Sequence, residues 1–336
     1  MRNTQSIFTV DAHTTGTPIR VITSGIPPLK GDTMEDKMEY MRTNYDWIRT
    51  CAMQQPRGFL SLVGAVLTEP CSKDADHGLF YIDALTYQPM CGAGTFSVAK
   101  ALVETGMVKR TEPETVIKLE TPSGIVTVYV EIKNGDVQCI SFDNVPAFLY
   151  CRDLEIKVPG IGDINVDIGF GGNFFTIVDI DAIKMDITKD KMDELRKLSK
   201  IILASANEKI KVQHPANKSI NYMDQLLFVQ NRPNEKGEYL CQCIFGDAQA
   251  DISPCGTGTS TRLAQRYFRG LIDIGGTFYQ KSIYGGVFRA SAIKEIDLNG
   301  TRAIIPSVSC SDVHITGFNH LVVEEDDKLK NGFVSW

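Results

Sequence analysis

The sequence predicts an α+β protein made of two pseudo-symmetric domains, with many strands and few helices. The first observation is length, because 336 residues exceed the ~250–300 at which a single hydrophobic core usually stops growing. The second is the recurrence of short runs rich in β-branched residues, in which apolar and polar side chains alternate. The third is that one order of elements occurs twice, which indicates an internal duplication with a cleft between the halves.

The first half is predicted to contain five strands and two helices. A long helix should begin at Asp32-Thr33 and run to about Cys51, because Thr33 and Asp36 have the spacing of a capping box. A shorter, mostly apolar helix should follow from Gly92 to about Glu104 and end at Gly106. The strands are expected at 7–11, 62–68, 79–85, 116–121 and 125–132.

The second half repeats this order. A helix is expected over about 190–209, and a short helix from Gly256 to about Phe268 is closed by Gly270. Residues 144–147 are the candidate linker between the halves. The strands are expected at 164–168, 174–180, 223–229, 239–245, 277–284, 287–296, 303–305 and 313–323.

Composition and motifs exclude several classes of function. The net charge is −6 with no basic cluster, which argues against nucleic acid and against anionic membranes as partners. The N-terminus has no apolar signal region, and nine cysteines without a CxxC pair fit a reducing, cytoplasmic compartment. The five histidines form no HxxxH or HExxH pattern, so no zinc site is expected. Neither glycine-rich loop matches a nucleotide-binding motif.

Two similar segments carry the chemistry. Each places a cysteine before Gly-x-Gly-Thr and leads into a short helix: Cys91 in the first half and Cys255 in the second. A cysteine ahead of a helix lies beside amide N–H groups and the positive end of the dipole, which favour the thiolate. The glycines leave the backbone open to a ligand, and consecutive N–H groups there suit a carboxylate.

A matched pair of cysteines points to a reaction at an α-carbon. One thiolate can remove the α-proton of an amino acid from one face, while one thiol returns a proton to the opposite face and inverts the carbon. Helix N-termini would stabilise the substrate carboxylate, whose negative charge grows as the carbanion forms. This chemistry requires no cofactor.

The chain resembles the proline racemase family, which includes hydroxyproline 2-epimerases and trans-3-hydroxyproline dehydratases. The resemblance implies a diaminopimelate-epimerase-like fold, in which each of two domains is a curved, mostly antiparallel sheet around a central helix. It runs nearly from end to end, and the segment Ser-Pro-Cys-Gly-Thr-Gly-Thr is highly diagnostic. The motifs that carry it lie at residues 11–16, 55–58, 90–92, 169–175, 251–259 and 315–320.

The resemblance also implies a role for each site residue. Cys91 and Cys255 would be the two acid/base residues, and Asp251 would accept a hydrogen bond from the amino or imino group of the substrate. Phe245 stands where the family places an aromatic wall against the ring, and Val63 where it tends to have an aromatic residue. The amides expected to bind the carboxylate are those of Gly92, Ala93, Gly256 and Thr257.

Several positions depart from the family pattern and affect the expected substrate. Ala93 replaces a histidine, Ile252 replaces an arginine, and Phe59, Ser61 and Val63 stand in a segment that is usually more polar. Because a buried hydroxyl without a partner costs roughly 1–3 kcal/mol, a less polar pocket disfavours a hydroxylated ring. Proline or another apolar amino acid is therefore expected in preference to 4-hydroxyproline.

The sequence leaves alternatives open. The first hypothesis is a cofactor-independent amino-acid racemase or epimerase, most simply a proline racemase. The others are a hydroxyproline 2-epimerase, a trans-3-hydroxyproline dehydratase and a non-catalytic homologue that only binds an amino acid. Retention of Cys255 favours the two-base reaction over the dehydratase. We expect one domain from 1–146 with about 308–336, a second from 147–307, and a possible homodimer by resemblance.

Overall fold

The computed structural model describes residues 4–335 and confirms the predicted α+β class. Within these residues there are eighteen strands and four α-helices. No helix among them is both long enough and apolar enough to cross a membrane. The chain divides into two compact units, Met1–Phe142 with Ser311–Trp336, and Asp143–Cys310.

The first unit holds two of the helices, and its last strand follows the second unit in sequence. Its elements are β1 (Thr4–Thr14), β2 (Thr17–Ser24), α1 (Met34–Met53), β3 (Val63–Thr68), β4 (His77–Ile82), β5 (Tyr87–Gln88), α2 (Gly92–Glu104), β6 (Glu114–Thr121), β7 (Gly124–Lys133), β8 (Asp136–Asp143) and β18 (Val313–Glu324).

The second unit holds the other two α-helices and two short 3₁₀ turns, at Ile180–Ile183 and Lys189–Lys191. Its elements are β9 (Phe148–Val158), β10 (Gly162–Phe170), β11 (Phe174–Asp179), α3 (Met192–Lys209), β12 (Gln225–Val229), β13 (Glu238–Phe245), β14 (Gln249–Ala250), α4 (Gly256–Phe268), β15 (Thr277–Ser282), β16 (Val287–Leu298) and β17 (Thr301–Cys310).

The two units share one order of strand pairing. In the first, β2 and β3 are parallel across α1, and β4 and β6 are parallel across α2. In the second, β11 and β12 are parallel across α3, and β13 and β15 are parallel across α4. The strands next to each crossover pair antiparallel in both units. This repeated topology is the structural counterpart of the duplicated sequence pattern.

A short central helix packs inside each unit. Helix α2 contacts β1, β2, β3, β7 and β18, and Phe96 on it packs against Phe142 with ring centroids 4.9 Å apart. Helix α4 contacts β9, β10, β11, β16 and β17. Burial on all sides explains why α2 is apolar over nearly its whole length. Each central helix begins directly after one of the two cysteines.

The sequence signals at helix ends are confirmed. Thr33 caps α1, accepting a hydrogen bond from the Asp36 amide at 3.1 Å, while the Asp36 carboxylate accepts from the Thr33 amide at 3.0 Å. The candidate linker over 144–147 is not an exposed connection. Asn144, Val145 and Ala147 are buried, and the Asn144 side-chain amide donates to the Gly171 carbonyl at 2.8 Å.

Candidate active site

Cys91 is the N-cap of α2. Its backbone is extended, and its Sγ accepts a hydrogen bond from the Gly94 amide at 3.4 Å. Its side chain is half-buried. Gly92 and Ala93 are the first two residues of the helix, whose N–H groups have no acceptor one turn earlier within the helix. Those amides can therefore face a bound carboxylate next to the thiol.

A buried tyrosine contacts the first turn of α2. Tyr81 on β4 shares a hydrogen bond of 2.8 Å with the Thr95 hydroxyl, and Thr95 Oγ1 lies 2.9 Å from the Cys91 carbonyl. Burial, followed by the nearby Cys91 thiol, raises the pKa of Tyr81 far above its usual value. Tyr81 is therefore a neutral hydroxyl, and its ring leaves no room for a side chain at Gly94.

Strand β1 fixes the other side of the turn. The Thr14 hydroxyl donates to the Ala93 carbonyl at 2.8 Å and lies 2.9 Å from the Ser97 hydroxyl. All three residues are buried. The first turn of α2 is therefore held at residue 93 through its backbone carbonyl, a contact that does not depend on the side chain at that position.

Cys255 is the N-cap of α4 but has a different backbone. Its φ of 65° lies in the left-handed region, which a non-glycine residue rarely adopts and which costs of order 1–3 kcal/mol. Its Sγ accepts from the Gly258 amide at 3.3 Å and lies 3.6 Å from the Thr257 hydroxyl. Gly256 and Thr257 supply the first two amides of the helix. The Cys255 side chain is buried, with 6% exposed.

A chain of local hydrogen bonds sets this conformation. The Asp251 carboxylate accepts from the Ser253 amide at 2.9 Å, and the Ser253 hydroxyl accepts from the Cys255 amide at 3.1 Å. The buried Gln280 amide donates to the Pro254 carbonyl at 2.9 Å. Asp251 and Cys255 lie four residues apart on one short segment. The hydrogen bonds hold the conformation of this segment, and with it the strained backbone of Cys255.

Phe245 and two further cysteines pack around Cys255. Phe245, Cys241 and Cys243 alternate along β13 and belong to one buried cluster with Cys255. One ligand atom from each of Cys243, Asp251 and Cys255 lies within 4.8 Å of the other two. This group has the donor atoms to hold a metal ion.

The environment of β13 keeps its cysteines protonated. Burial is the main cause that raises the pKa of both Cys241 and Cys243, and proximity to Cys255 and Asp251 adds to it. For Cys243 the second cause is a hydrogen bond to Cys255. Cys255 differs from them in being the helix N-cap, where its Sγ accepts from the Gly258 amide.

The positions that depart from the expected pattern have different environments. Val63 is buried at the start of β3, opposite Ile19, as part of the hydrophobic core. Phe59 is 48% exposed, and Ser61 and Ile252 are half-buried. The second unit brings together Phe245, Asp251, Cys255, Gly256 and Thr257, while the first brings together Cys91, Gly92 and Ala93.

Sequence reasoning does not identify several supporting residues. Tyr81 lies in a predicted strand whose pattern indicates only core, and Thr14 lies in the 11–16 motif, which does not by itself indicate a contact with α2. Cys243 has a usable signal, because strand alternation places it on the same face as Phe245. The strand pattern predicts that Cys243 is a core residue, and Cys243 is indeed buried. The pattern does not indicate that Cys243 lies beside Cys255.

Comparison with known proteins decides the family. The family model described as proline racemase matches residues 9–334. A proline racemase from Clostridioides difficile is 38% identical over 334 residues, covering 99% of both chains.

The chain belongs to the proline racemase family. A trans-3-hydroxy-L-proline dehydratase from Azospirillum brasilense is 35% identical over 335 residues and 99% of both chains. Among solved structures, a hydroxyproline epimerase from Agrobacterium vitis with bound trans-4-hydroxy-L-proline superposes with a TM-score of 0.94. It is 26% identical, and the match covers 100% of this chain and 96% of that one. The predicted family and fold are thus confirmed, and the enzyme class is that of the family's isomerases.

Proposed function

We propose that this protein is a cofactor-independent amino-acid racemase that acts on proline, with Cys91 and Cys255 as its general acid and base. One observation carries the proposal. Each cysteine is the N-cap of an equivalent central helix, and its Sγ accepts a hydrogen bond from the amide of the third helical residue. The chain that carries this pair is 38% identical to a proline racemase. The pair is thus preserved in both halves of the duplicated fold.

The proposed reaction uses each thiol on one face of the α-carbon. One cysteine, as thiolate, removes the α-proton, and the other, as thiol, donates its proton to the opposite face. The roles exchange in the reverse direction. As the α-proton leaves, negative charge spreads into the carboxylate, and the first two amides of each helix can stabilise it there.

Neighbouring residues complete the proposed substrate site. The Asp251 carboxylate would accept a hydrogen bond from the imino group of proline, and Phe245 would pack against its ring. Phe245 and Cys255 belong to the same buried cluster, which supports this role. Excluding water there strengthens the electrostatic contribution of the helix amides.

Two alternatives within the family concern hydroxylated rings. The Agrobacterium vitis epimerase has trans-4-hydroxy-L-proline bound, and the Azospirillum brasilense relative is a dehydratase. Retention of Cys255 favours inversion over dehydration, and Ala93 and Ile252 remove polar side chains that a ring hydroxyl would use. Val63 supports the same argument, because a small apolar side chain stands where the family tends to have an aromatic residue.

The deciding experiment follows the α-proton of candidate substrates in D₂O by NMR. We expect L- and D-proline each to exchange that proton and to interconvert. Water loss from trans-3-hydroxyproline, or epimerisation of hydroxyproline without turnover of proline, would assign the alternatives. No exchange across an amino-acid panel would leave the binding-only homologue. A cytoplasmic location and a homodimer complete the proposal, the latter to be tested by light scattering after gel filtration.

A further inference from the structure

The proposed two-thiol reaction assigns no proton transfer to Cys243, although its thiol lies beside Cys255. Cys243 comes from β13, whereas Asp251 and Cys255 come from the segment that leads into α4. The backbone joins the two segments, because the Asp251 amide donates to the Cys243 carbonyl at 3.0 Å. The Gln242 side-chain amide also donates to the Asp251 carbonyl, at 2.8 Å. These two bonds hold Asp251 beside Cys243, and Cys255 follows Asp251 closely in the same segment.

We propose that Cys243, Asp251 and Cys255 form a binding site for a thiophilic divalent cation such as Zn²⁺ or Cd²⁺, and that the bound cation inhibits the enzyme. The inhibition rests on the proposed function, whereas the cation site does not. Two thiolates and a carboxylate are a donor set that Zn²⁺ accepts, with Zn–S of about 2.3 Å and Zn–O of about 2.1 Å. Ligands at those lengths lie within about 4 Å of one another, so atoms already within 4.8 Å need small side-chain movements.

The consequence for catalysis follows from the ligand identity. Binding replaces the thiol proton of Cys243 with a metal–sulfur bond and releases that proton to solvent; Cys255 binds as the thiolate, and when it starts as the thiol its proton is released as well. The lone pair with which the Cys255 thiolate would remove or return the substrate proton then binds the cation. The cation also neutralises Asp251, the proposed partner of the imino group. Inhibition is therefore expected to be reversed by a chelator.

The matched control lies on the same strand. Cys241 is also buried in the cluster, but its Sγ donates to the Pro254 carbonyl at 3.4 Å, and it is not part of the three-residue group. Cys241→Ser retains a donor for that carbonyl, whereas Cys243→Ser and Cys255→Ser each remove a soft ligand from the site.

Titration of the full-length protein with Cd²⁺ tests the site through the ultraviolet charge-transfer band of cadmium thiolate, without any activity measurement. We expect one equivalent to saturate the band in the wild type and in Cys241→Ser. Affinity should fall by about 100-fold or more in Cys243→Ser and in Cys255→Ser, because each leaves a single thiolate. An unchanged titration in both of those variants, or no band in the wild type, would overturn the site.

Racemisation assays separate this proposal from the first. Zn²⁺ should abolish wild-type turnover until EDTA is added, while Cys243→Ser keeps turnover and resists the same Zn²⁺ concentration. If the band depends on Cys243 but no substrate turns over, the cation site stands and the racemase assignment fails. If proline turns over but Zn²⁺ inhibits Cys243→Ser as strongly as the wild type, the cation proposal fails. A thermal melt of each variant identifies misfolding. If Cys243→Ser does not fold, the Cd²⁺ titration of Cys255→Ser tests the cation site in its place.

Discussion

The Sγ atoms of Cys91 and Cys255 accept the same hydrogen bond, from the third amide of the helix that each caps, at 3.4 and 3.3 Å. Their backbones nevertheless differ, because Cys91 is extended and Cys255 has a φ of 65°. A shared thiol geometry on two backbones indicates that the position of the sulfur relative to the helix amides is what the fold preserves.

Replacing either thiol should remove inversion. In Cys91→Ser and Cys255→Ser the hydroxyl can still cap the helix, but its pKa is too high for proton transfer, so kcat should fall at least about 10²–10⁴-fold. The assay is the optical rotation of L-proline over time. Cys139→Ser, a half-buried thiol on β8, is the control and should keep full activity. Wild-type rates in either helix-cap variant would contradict the two-base assignment.

A planar five-membered ring carboxylate should inhibit competitively. Loss of the α-proton flattens that carbon, and a site complementary to the transition state binds a flat analogue more tightly than the substrate. Competition against L-proline gives the inhibition constant. Cyclopentanecarboxylate, with a tetrahedral α-carbon and no imino group, is the comparison and should bind more weakly. Equal affinity for both compounds would show that planarity is not recognised.

Gly94→Ala should destabilise the first unit. A Cβ at this position would lie 2.4 Å from Cε1 of Tyr81, a fully buried ring whose hydroxyl is held by Thr95. Overpacking of this kind costs about 1–3 kcal/mol, partly offset by up to ~1 kcal/mol of helix propensity. Thermal melting should show a lower Tm.

The control for that substitution is Gly317→Ala on β18. There the nearest atom to the added methyl is the Asn319 Nδ2, at 3.3 Å, which is much farther than the 2.4 Å at Gly94. Its Tm should stay close to that of the wild type. A Gly94→Ala protein as stable as this control would show that Tyr81 can move, and that it does not fix the turn at Cys91.

Stability should fall on acidification because of His214. Its Nδ1 accepts from the amides of Ala216 and Asn217 and its ring packs against Phe170, and burial lowers the pKa of His214 to about 4. The unfolded chain binds this proton near pH 6.5, so the folded state loses stability as pH falls from about 6.5 toward 4. Between about pH 7 and 5 the loss from this group is about 2 kcal/mol.

Urea unfolding at the two pH values measures this loss. In His214→Asn the side-chain oxygen can replace Nδ1 as acceptor but does not titrate, so its stability should depend less on pH, by about 2 kcal/mol, than that of the wild type. Parallel pH dependence in the two proteins would show that His214 is protonated normally in the folded state.

Local patterns predict the helices well. Gly92–Glu104 and Gly256–Phe268 have the expected bounds, since a cap, the helical stretch and a closing glycine all lie within about fifteen residues. The strand ends are less accurate. The sequence predicts a strand over 303–305, whereas β17 spans Thr301–Cys310. The polar residues at its ends are typical of loops in the sequence, and their strand conformation depends on pairing with a neighbouring strand.

By itself the sequence determined the family, the α+β class, the duplication and the two cysteines at helix starts, because each is recorded in contiguous residues. The tertiary structure decided which distant residues surround those cysteines. Tyr81 and Thr14 contact the first turn of α2, and Cys243 lies beside Cys255, because the strands that carry them pack against the starts of the two central helices. It also gave Cys255 its left-handed backbone, which Ser253 and Gln280 maintain through hydrogen bonds that local propensity does not predict.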